Sequence, residues 1–342
     1  MTNTTSIPTK SIGPILINGQ HINGEVKVPM ATFESTLWPS TNRGAKLSRL
    51  AGGINTAIIN YGMTRSIALK APNAKIANDM VAKLNERFDD IAKVVSSTSR
   101  FCRLTNIHTK TVANNLYVRL QCFTGDAAGH NMTTKAASRV IEWLLSEYPE
   151  LTYISISANF CTDKKVSSVN TILGRGKQVT AELTIPKDLC VKYLRTTPEK
   201  LVALNIDKNL LGGIIAGSLG SANAHYANML LATYLATGQD AANIVEGSQG
   251  ITYCEITQAG DLYFSVTVPN IIVGTVGNGK QHADIKDNLE ALGCLADDKK
   301  PGVNSERLSE IIGATVLCGE LSLMAAQTNP GELIRSHEVF ER

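Results

Sequence analysis

The chain has 342 residues, of which 43% are hydrophobic and 18% are charged, and its formal net charge at pH 7 is +3. This composition is typical of a globular protein with enough residues for one large or two ordinary domains. So small a positive surplus does not indicate nucleic acid as an obligate partner, although it allows a local basic pocket for an anionic cofactor. The seven cysteines contain no Cys-x-x-Cys pair, so we expect reduced thiols in a cytoplasmic protein and no metal site.

The N-terminal part is expected to be a disordered tail followed by a hairpin and a helix. Residues 1–12 are rich in Thr and lack the apolar run of a signal peptide. The pairs Asn18-Gly19 and Asn23-Gly24 lie between short apolar runs, which predicts a β-hairpin. A helix is expected to start at three residues of N-cap type, Ser40, Thr41 and Asn42.

Two cations follow this expected helix start. In the first turn, Arg43 and Lys46 would oppose the helix dipole. A phosphate bound at the helix terminus would explain their position, and a pair of solvated basic residues would explain it equally well.

Residues 67–155 are expected to form a small domain inserted into a larger one. A short strand at Ile67 precedes apolar residues that recur at helical spacing from Ile76 to Val94. Two strands, at 104–108 and 112–124, form a predicted hairpin, and a second helix and a strand near Tyr153 follow. This order is the split βαβ arrangement of a ferredoxin-like domain, so we expect an α+β protein. Residues 13–66 and 156–342 would then form one large domain.

The ferredoxin-like arrangement also occurs in RNA-binding RRM modules, which is an alternative to an enzyme. The candidate central strand offers Tyr117 and Phe123 for stacking on bases, but it lacks the Lys/Arg-Gly-Phe-Gly pattern. We therefore favour the enzyme.

The segment from Lys208 to Gly247 contains no charged residue between Lys208 and Asp240. A helix without charge on any face is buried on every face. The length would also allow a membrane span, but polar residues such as Asn228 would then lie unsolvated in lipid. We therefore expect a central buried helix in a soluble protein, with Asp240 as a buried carboxyl at its end. That carboxyl is either a satisfied structural group or a catalytic one.

Further ionisable residues occupy unusual settings. Lys164 follows the end of a hydrophobic strand, Glu34 has small and apolar neighbours, and His337 lies near the C-terminus, where mobility is expected. Glycine-rich turns at 125–129 and 274–279 would let phosphates approach backbone N–H groups. Neither turn matches the G-x-G-x-x-G or the Walker pattern, and each feature alone has an ordinary structural explanation.

Together these segments resemble the catalytic part of the 3-hydroxy-3-methylglutaryl-coenzyme A (HMG-CoA) reductases. The resemblance extends from the Gly13-Pro14 pair to His337, and the Asp-Lys-Lys and Gly-Arg-Gly-Lys motifs most resemble those of the class I branch. The motifs are Pro29–Glu34 with Ser40–Gly44, Gly125–Met132, Asn159–Lys165 with Gly174–Lys177, Asn223–Asn228 with Gly238–Ala242, and Gly274–Gly277.

The resemblance implies four catalytic residues. Lys164 would stabilise the negative charge that develops on the reacting carbonyl oxygen, and Asp240 would hydrogen-bond Lys164 and Glu34. Glu34 would donate a proton when the aldehyde intermediate is reduced. His337, on a mobile C-terminal segment, would protonate the departing CoA thiolate.

The resemblance also implies binding residues. The hydroxymethylglutaryl group would be held by Arg65, Ser157, Asp163, Lys165, Lys208, His225, Asn228 and Leu323. CoA would be held by Ser40, Thr41, Asn42, Arg43, Lys46 and Arg195. The cofactor would lie on Ser99, Arg100, Phe101, Asp126, Ala127, Ala128, Gly129, His130, Asn131, Met132, Gly274, Thr275 and Gly277. Arg100 would meet a 2′-phosphate, which favours NADPH over NADH.

The implied partners are HMG-CoA, mevalonate and further copies of the chain, because in this family the active site lies between two subunits. A homodimer or a dimer of dimers is expected, with neither nucleic acid nor a membrane as a partner. The family's N-terminal helical region is missing or replaced, His130 and Ala128 stand where methionines are usual, and Asn278 and Lys280 depart from the glycine-rich turn. The alternatives are NAD-dependent mevalonate degradation in the reverse direction and a non-catalytic or RNA-binding homologue.

Overall fold

The computed structural model describes residues 5–297 and 300–340, and of Ser336 and Phe340 only the backbone. The strands are β1 Thr9–Asn18, β2 Asn23–Ala31, β3 Ile54–Lys70, β4 Arg103–Val112, β5 Asn115–Phe123, β6 Thr152–Ser155, β7 Gly176–Ile185, β8 Ser221–Ala222, β9 Gly250–Ile256 and β10 Leu262–Ile271. The helices are α1 Leu37–Leu50, α2 Ala74–Glu86, α3 Phe88–Ser96, α4 His130–Glu147, α5 Ser168–Leu173, α6 Lys187–Leu189, α7 Pro198–Leu204, α8 Gly213–Ala216, α9 Tyr226–Ala236, α10 Ile244–Gly247, α11 Ala283–Ala291, α12 Val303–Gln327 and α13 Glu332–Phe340. Cys190–Leu194 and Asn205–Gly212 are π-helical, and Ala241–Asn243 is a 3₁₀ turn.

The N-terminal hairpin is the antiparallel pair of β1 and β2, and the prediction of a hairpin is confirmed. The predicted tail is too long, because β1 begins at Thr9, which pairs with Ala31. Ile12 is buried in the core, so apolar burial draws this part of the chain into the sheet. Residues 1–4 lie outside the described part of the chain.

Strand β3 joins the two halves of the molecule. From Asn55 to Gly62 it pairs with β7, and from Met63 to Lys70 it pairs with β5. The predicted short strand at Ile67 is therefore the end of a strand of 17 residues. Gly62, where the partner changes, lies so close to Gln121 that an added Cβ would be 2.3 Å from that side chain. A larger residue there would collide with the Gln121 side chain.

Residues 67–155 form a four-stranded antiparallel arrangement in the order β6-β3-β5-β4. Helices α2, α3 and α4 contribute to a separate hydrophobic cluster that runs from Ile67 to Leu151. The helical spacing from Ile76 to Val94 is interrupted at Arg87, where α2 ends and α3 begins. The β4–β5 turn lies at Ala113 and Asn114, a few residues later than predicted.

The large hydrophobic cluster is built around α12, which packs against β7, β10, α1 and α9. It is long and apolar enough to cross a membrane, but 94% of its most apolar window is buried inside the protein. Gly44 of α1 allows the two helices to touch, since a Cβ there would lie 2.2 Å from the carbonyl oxygen of Cys318. The central helix is therefore a core helix, although it is not the segment that the sequence indicated.

The prediction of one central buried helix with Asp240 at its end is wrong. The segment from Lys208 to Gly247 breaks into a π-helical turn, α8, β8, α9, a 3₁₀ turn and α10, and of these only α9 is mostly buried. Gly217 ends α8 with a positive φ of 70°. The apolar residues before it lie at the surface, with Ile214 74% and Ile215 87% exposed. The absence of charged residues in this segment therefore reflects an apolar surface of the chain. The rule that a helix without charged residues is buried does not hold for α8.

Candidate active site

Two cavities contain most of the predicted site residues. The first, called the Glu34 cavity, has a volume of about 530 Å³ and is lined among others by Glu34, Ser40, Arg43, Arg195, His225, Asn228, Leu323 and His337. The second, called the Lys164 cavity, has a volume of about 570 Å³ and is lined among others by Arg65, Ala127–Met132, Asp163, Lys164, Asp240, Gly277 and Lys280. Within one chain, the four predicted catalytic residues are thus divided between two cavities.

Lys164 and Asp240 form an ion pair in the Lys164 cavity, with 2.7 Å between Nζ and Oδ2. The hydrogen bond that Lys164 donates to Asp240 raises the pKa of Lys164, so the amine is charged at neutral pH. Partial desolvation acts to raise the pKa of Asp240, yet the hydrogen bonds from the Lys164 amine and the Ala242 N–H outweigh it, and the pKa of Asp240 is lowered. The expectation that Asp240 is buried is wrong, because its side chain is 47% exposed and lies beyond the end of α9.

The loop that carries Lys164 is held by buried charged residues that the sequence reading did not identify as site residues. Glu246, fully buried, accepts the backbone N–H of Lys164 at 3.1 Å and Arg175 Nη1 at 2.8 Å. The other Arg175 terminal nitrogen lies 3.1 Å from Asp163 Oδ1. Burial raises the pKa of Glu246, although Arg175 acts in the opposite direction.

The two glycine-rich turns meet beside the Lys164 cavity. Ala127 and Val276 form a β-bridge, and Gly274 is so close to Ala128 that a Cβ would lie 2.4 Å from its backbone nitrogen. The Gln239 side chain bonds both the N–H and the carbonyl of Gly274. Turns that the sequence separates by well over a hundred residues therefore form one wall.

The N-terminus of α4 opens into this cavity. The helix begins at His130 after Gly129, and its first turn has neither a side-chain cap nor an acidic residue. Burial lowers the pKa of Lys280 to about 8, and that of His130 to about 4 with help from Arg175. Uncapped N–H groups beside a lysine suit the phosphates of an anionic cofactor.

The other predicted cofactor residues lie outside the lining of the Lys164 cavity. The Asp126 carboxylate accepts the backbone N–H groups of Gly302 and Ser305, each at 2.9 Å, and so caps α12. Thr275 is buried, and its N–H donates to the Asp126 carbonyl. Arg100 stacks on Phe101, whose side chain lies beside Gly125.

In the Glu34 cavity, the carboxylate of Glu34 accepts a hydrogen bond from Asn228 Nδ2 at 2.8 Å. His225 Nε2 lies 2.9 Å from the Gly319 carbonyl oxygen. Glu320 of α12 is buried and accepts the backbone N–H of His225 at 3.0 Å, so α12 fixes this part of the wall. His337 lies on α13 rather than on an irregular tail.

The predicted helix start at Ser40 is wrong, because α1 begins at Leu37 and includes Pro39 in its first turn, where proline is tolerated. Arg43 is therefore past the first turn, and the phosphate argument from the helix dipole does not apply. Its guanidinium instead contacts Ser322 and forms an ion pair with Glu332 at 2.8 Å.

The predicted CoA residues of α1 face different ways. Ser40 and Arg43 line the Glu34 cavity, together with Arg195. Thr41 is fully buried and bonds the Leu37 carbonyl, so a contact with CoA is excluded in this conformation. Asn42 accepts the N–H of Gly13 at 2.9 Å, and the Lys46 amine lies over the Tyr193 ring.

The predicted residues for the hydroxymethylglutaryl group are divided as well. Arg65 donates to Ser157 at 3.3 Å and lies 3.9 Å from Asp163, beside the Lys164 cavity. The exposed Lys165 donates to the Asp163 carbonyl. Asn228, His225 and Leu323 line the Glu34 cavity, whereas Lys208 donates to Asn209 at 3.1 Å and lines neither.

A few signals in the sequence point to the residues that were missed. Arg175 lies within the Gly-Arg-Gly-Lys motif, and Glu246 is the first acidic residue after Asp240. Neither signal predicts burial, since charged residues are almost never fully buried unless they are paired. The pairing between them becomes visible only when the chain is folded.

A lysine held beside a carboxylate, next to backbone N–H groups suited to phosphates, is an arrangement that can stabilise negative charge, as the site of an enzyme does. A sequence profile of the family described as hydroxymethylglutaryl-coenzyme A reductase matches residues 1–342. The chain is 42% identical over 343 residues to the HMG-CoA reductase of Pyrococcus horikoshii, covering 100% of this chain and 83% of that protein. It is 45% identical over 340 residues to HMG-CoA reductase 1 of Gossypium hirsutum, covering 98% of this chain and 57% of that protein.

The fold is also similar to that of a class II HMG-CoA reductase from Streptococcus pneumoniae described as bound to NADPH, with a TM-score of 0.74 at 20% identity. That similarity covers 96% of this chain and 86% of the other. The chain belongs to the HMG-CoA reductase family and is thus an oxidoreductase. This result favours the enzyme over the RNA-binding alternative.

Proposed function

We propose that the protein reduces (S)-HMG-CoA to (R)-mevalonate and free CoA with two molecules of NADPH, for isoprenoid precursor synthesis in the cytoplasm. The observation that carries this proposal is the Lys164–Asp240 pair in a cavity walled by Ala127–Met132. An ammonium at that place would stabilise an alkoxide where a carbonyl is reduced.

Nicotinamide supplies the hydride when the cofactor is bound, and the residues of the Lys164 cavity fit such a group. The uncapped start of α4 and the Lys280 amine would hold phosphates. Arg100, at the neighbouring surface, would contact the 2′-phosphate and favour NADPH over NADH. We propose that residues 67–155 act as a ferredoxin-like cofactor domain, supported by their separate hydrophobic cluster and strand order.

The remaining roles belong to the Glu34 cavity. The carboxylic acid of Glu34 would protonate the oxygen of the aldehyde as it is reduced, with Asn228 fixing its orientation. His337, which lines the same cavity, would protonate the sulfur of departing CoA. Arg43 and Arg195 would bind the phosphates of CoA at the rim.

We propose that the complete site forms between two subunits of a homodimer, in which the Glu34 cavity of one faces the Lys164 cavity of its partner. The division of the catalytic residues between two cavities supports this arrangement. Exposed apolar residues offer a surface for such a contact, among them Phe33, Leu211, Ile214, Ile215 and Leu219. Asp240 and Glu34 would then come within reach of each other across the interface.

The assignment to the class I branch is supported by 42–45% identity to archaeal and plant relatives, compared with 20% identity to the class II structure. The reverse, NAD-dependent direction is the second candidate, because Ala128 and His130 alter the usual cofactor loop.

The test measures oxidation of NADPH and of NADH, side by side, by the purified protein with HMG-CoA. We expect rapid oxidation of NADPH that depends on HMG-CoA and releases CoA thiol, and slower oxidation of NADH. Reduction of NAD by mevalonate and CoA, without turnover of NADPH, would instead support the degradative direction. No turnover with either cofactor in a folded protein would contradict both.

A further inference from the structure

The backbone of the loop before Lys164 adopts an unusual conformation. Asn159, Thr162 and Lys164 have φ angles of 59°, 47° and 57°, in the left-handed region that residues with a side chain seldom occupy. Thr162 is β-branched, which makes this conformation especially unfavourable for it. Such a backbone persists only where surrounding contacts over-determine it.

The contacts that hold this loop converge on one buried carboxylate. Glu246 Oε1 accepts the backbone N–H of Lys164 at 3.1 Å, Arg175 Nη1 at 2.8 Å and Asn243 Nδ2 at 3.0 Å. Glu246 and Arg175 are both fully buried. Since Arg175 also lies 3.1 Å from the Asp163 carboxylate, two consecutive loop residues depend on a single buried ion pair.

The segment from Asp240 to Glu246 contacts both the side-chain amine and the backbone N–H of Lys164. Asp240 contacts the side-chain amine at 2.7 Å, and Glu246 accepts the backbone N–H of the same residue. The two carboxylates are linked by the 3₁₀ turn Ala241–Asn243 and the start of α10. The position of the ammonium relative to Asp240 is therefore fixed by two contacts that one short segment provides.

We propose that Glu246, through Arg175, is a positioning residue that fixes the Lys164 ammonium against Asp240 for the proposed reduction. The inference rests on the proposed function for its kinetic consequence, but its geometric consequence is independent of it. Glu246 contacts neither substrate nor cofactor in this account. It acts on the reacting centre only through the backbone of Lys164 and the orientation of Asp163.

The first test uses Glu246→Gln, which keeps the side-chain shape but removes the charge that Arg175 requires. Arg175 would lose its fully buried partner and keep only the Asp163 carboxylate, so we expect the guanidinium and the loop to shift and the Lys164 amine to move from Asp240. Displacement of a catalytic group by about 1 Å costs on the order of 10²-fold in rate, so kcat should fall on that order. The KM for NADPH should change much less than kcat, since the hydrogen bonds of the Glu246 carboxylate go to Lys164, Arg175 and Asn243 rather than to Ala127–Met132.

A second readout separates positioning from a general loss of stability. In limiting acetic anhydride, the labelling of Lys164 relative to Lys165 is measured by peptide mass spectrometry on the folded protein. The amine of Lys164 that leaves Asp240 loses the interaction that raises its pKa, so more of it is unprotonated and reactive. We expect the Lys164-to-Lys165 ratio to rise several-fold in Glu246→Gln, whereas general unfolding would raise both.

The matched control is Glu142→Gln, which makes the same chemical change in an exposed ion pair on α4. It should leave both kcat and the labelling ratio as in the wild type. Should Glu246→Gln fail to fold, Arg175→Lys replaces it, because a lysine keeps the charge but does not bridge both carboxylates.

A labelling ratio equal to that of the wild type in a folded variant overturns the proposal, whatever the rate. Absence of HMG-CoA reduction by the wild type would contradict the proposed function alone, and the labelling ratio would still decide the positioning role.

Discussion

The Glu34 cavity and the Lys164 cavity are of similar volume, but they are built on different principles. The Lys164 cavity places a charged pair at its surface and supports it from below with the buried residues Arg175 and Glu246. The Glu34 cavity is lined by the partly exposed ion pair of Arg43 and Glu332, and part of its wall is fixed by hydrogen bonds to α12. In the proposed function, the Lys164 cavity is the half that stabilises an anion and the Glu34 cavity is the half that donates protons, and the complete site needs both.

The largest effect is expected from Lys164→Ala, which removes the cation of the Lys164 cavity. Removing one donor to a developing oxyanion typically costs about 10²–10³-fold in kcat, and we expect at least about 10³-fold here because the donor is charged. Both HMG-CoA and free mevaldehyde should be affected, as each passes through an alkoxide. The measurement is NADPH oxidation with each substrate.

Lys110→Ala, which changes an exposed lysine of β4, is the matched control and should keep wild-type activity. Substantial turnover by Lys164→Ala on either substrate would refute the assignment of the oxyanion role.

A more selective effect is expected from His337→Gln in the Glu34 cavity. General acid catalysis contributes about 10²–10⁴-fold, so thioester reduction should slow by about 10²-fold. Reduction of mevaldehyde should change little, because that substrate has no thiolate to protonate. The two substrates are compared by kcat in one preparation, and equal losses on both would contradict this role of His337.

The last expected effect is on stability rather than on rate, and it concerns His130 in the lining of the Lys164 cavity. Burial holds the pKa of His130 at about 4, below its value of 6.5 in an unfolded chain. Between these values the unfolded state binds more protons, so the free energy of unfolding falls as the pH drops from about 6.5 to 4. The difference between these two pKa values corresponds to a loss of about 3 kcal/mol.

His130→Met should remove that part of the pH dependence, measured by urea unfolding at a series of pH values. His282→Met, at an exposed position before α11, is the matched control and should keep the wild-type slope. An unchanged slope in His130→Met would show that other groups cause the acid sensitivity.

Local patterns predicted local structure well. The Asn-Gly hairpin and the hairpin of the two strands predicted at 104–108 and 112–124 depend on neighbours in sequence, and the structure confirms both as the pairs β1–β2 and β4–β5. The 208–247 segment was misread because the absence of charge indicates an apolar environment without telling a core from an exposed apolar surface. The length of β3 was missed because its two halves are defined by different partners, β7 and β5.

The site shows the same division. The family motifs predicted that Lys164 and Asp240 interact, and the structure places the two side chains in contact. The motifs alone do not show that Thr41 faces the core. The helix α1 begins three residues before the predicted start, and such a shift changes the helix face on which a residue lies. Nor did it reveal the cap that Asp126 gives to α12, which is a contact between residues about 180 positions apart.

The most direct test of the account is complementation between two inactive variants, Glu34→Gln and Lys164→Ala. Each homodimer should be inactive, since every site lacks one essential group. In a heterodimer formed by co-expression, one of the two sites would receive Glu34 from one subunit and Lys164 from the other. Random pairing of equal amounts should therefore restore about a quarter of wild-type NADPH oxidation with HMG-CoA. No recovered activity in confirmed heterodimers would contradict a site shared between the Glu34 and Lys164 cavities.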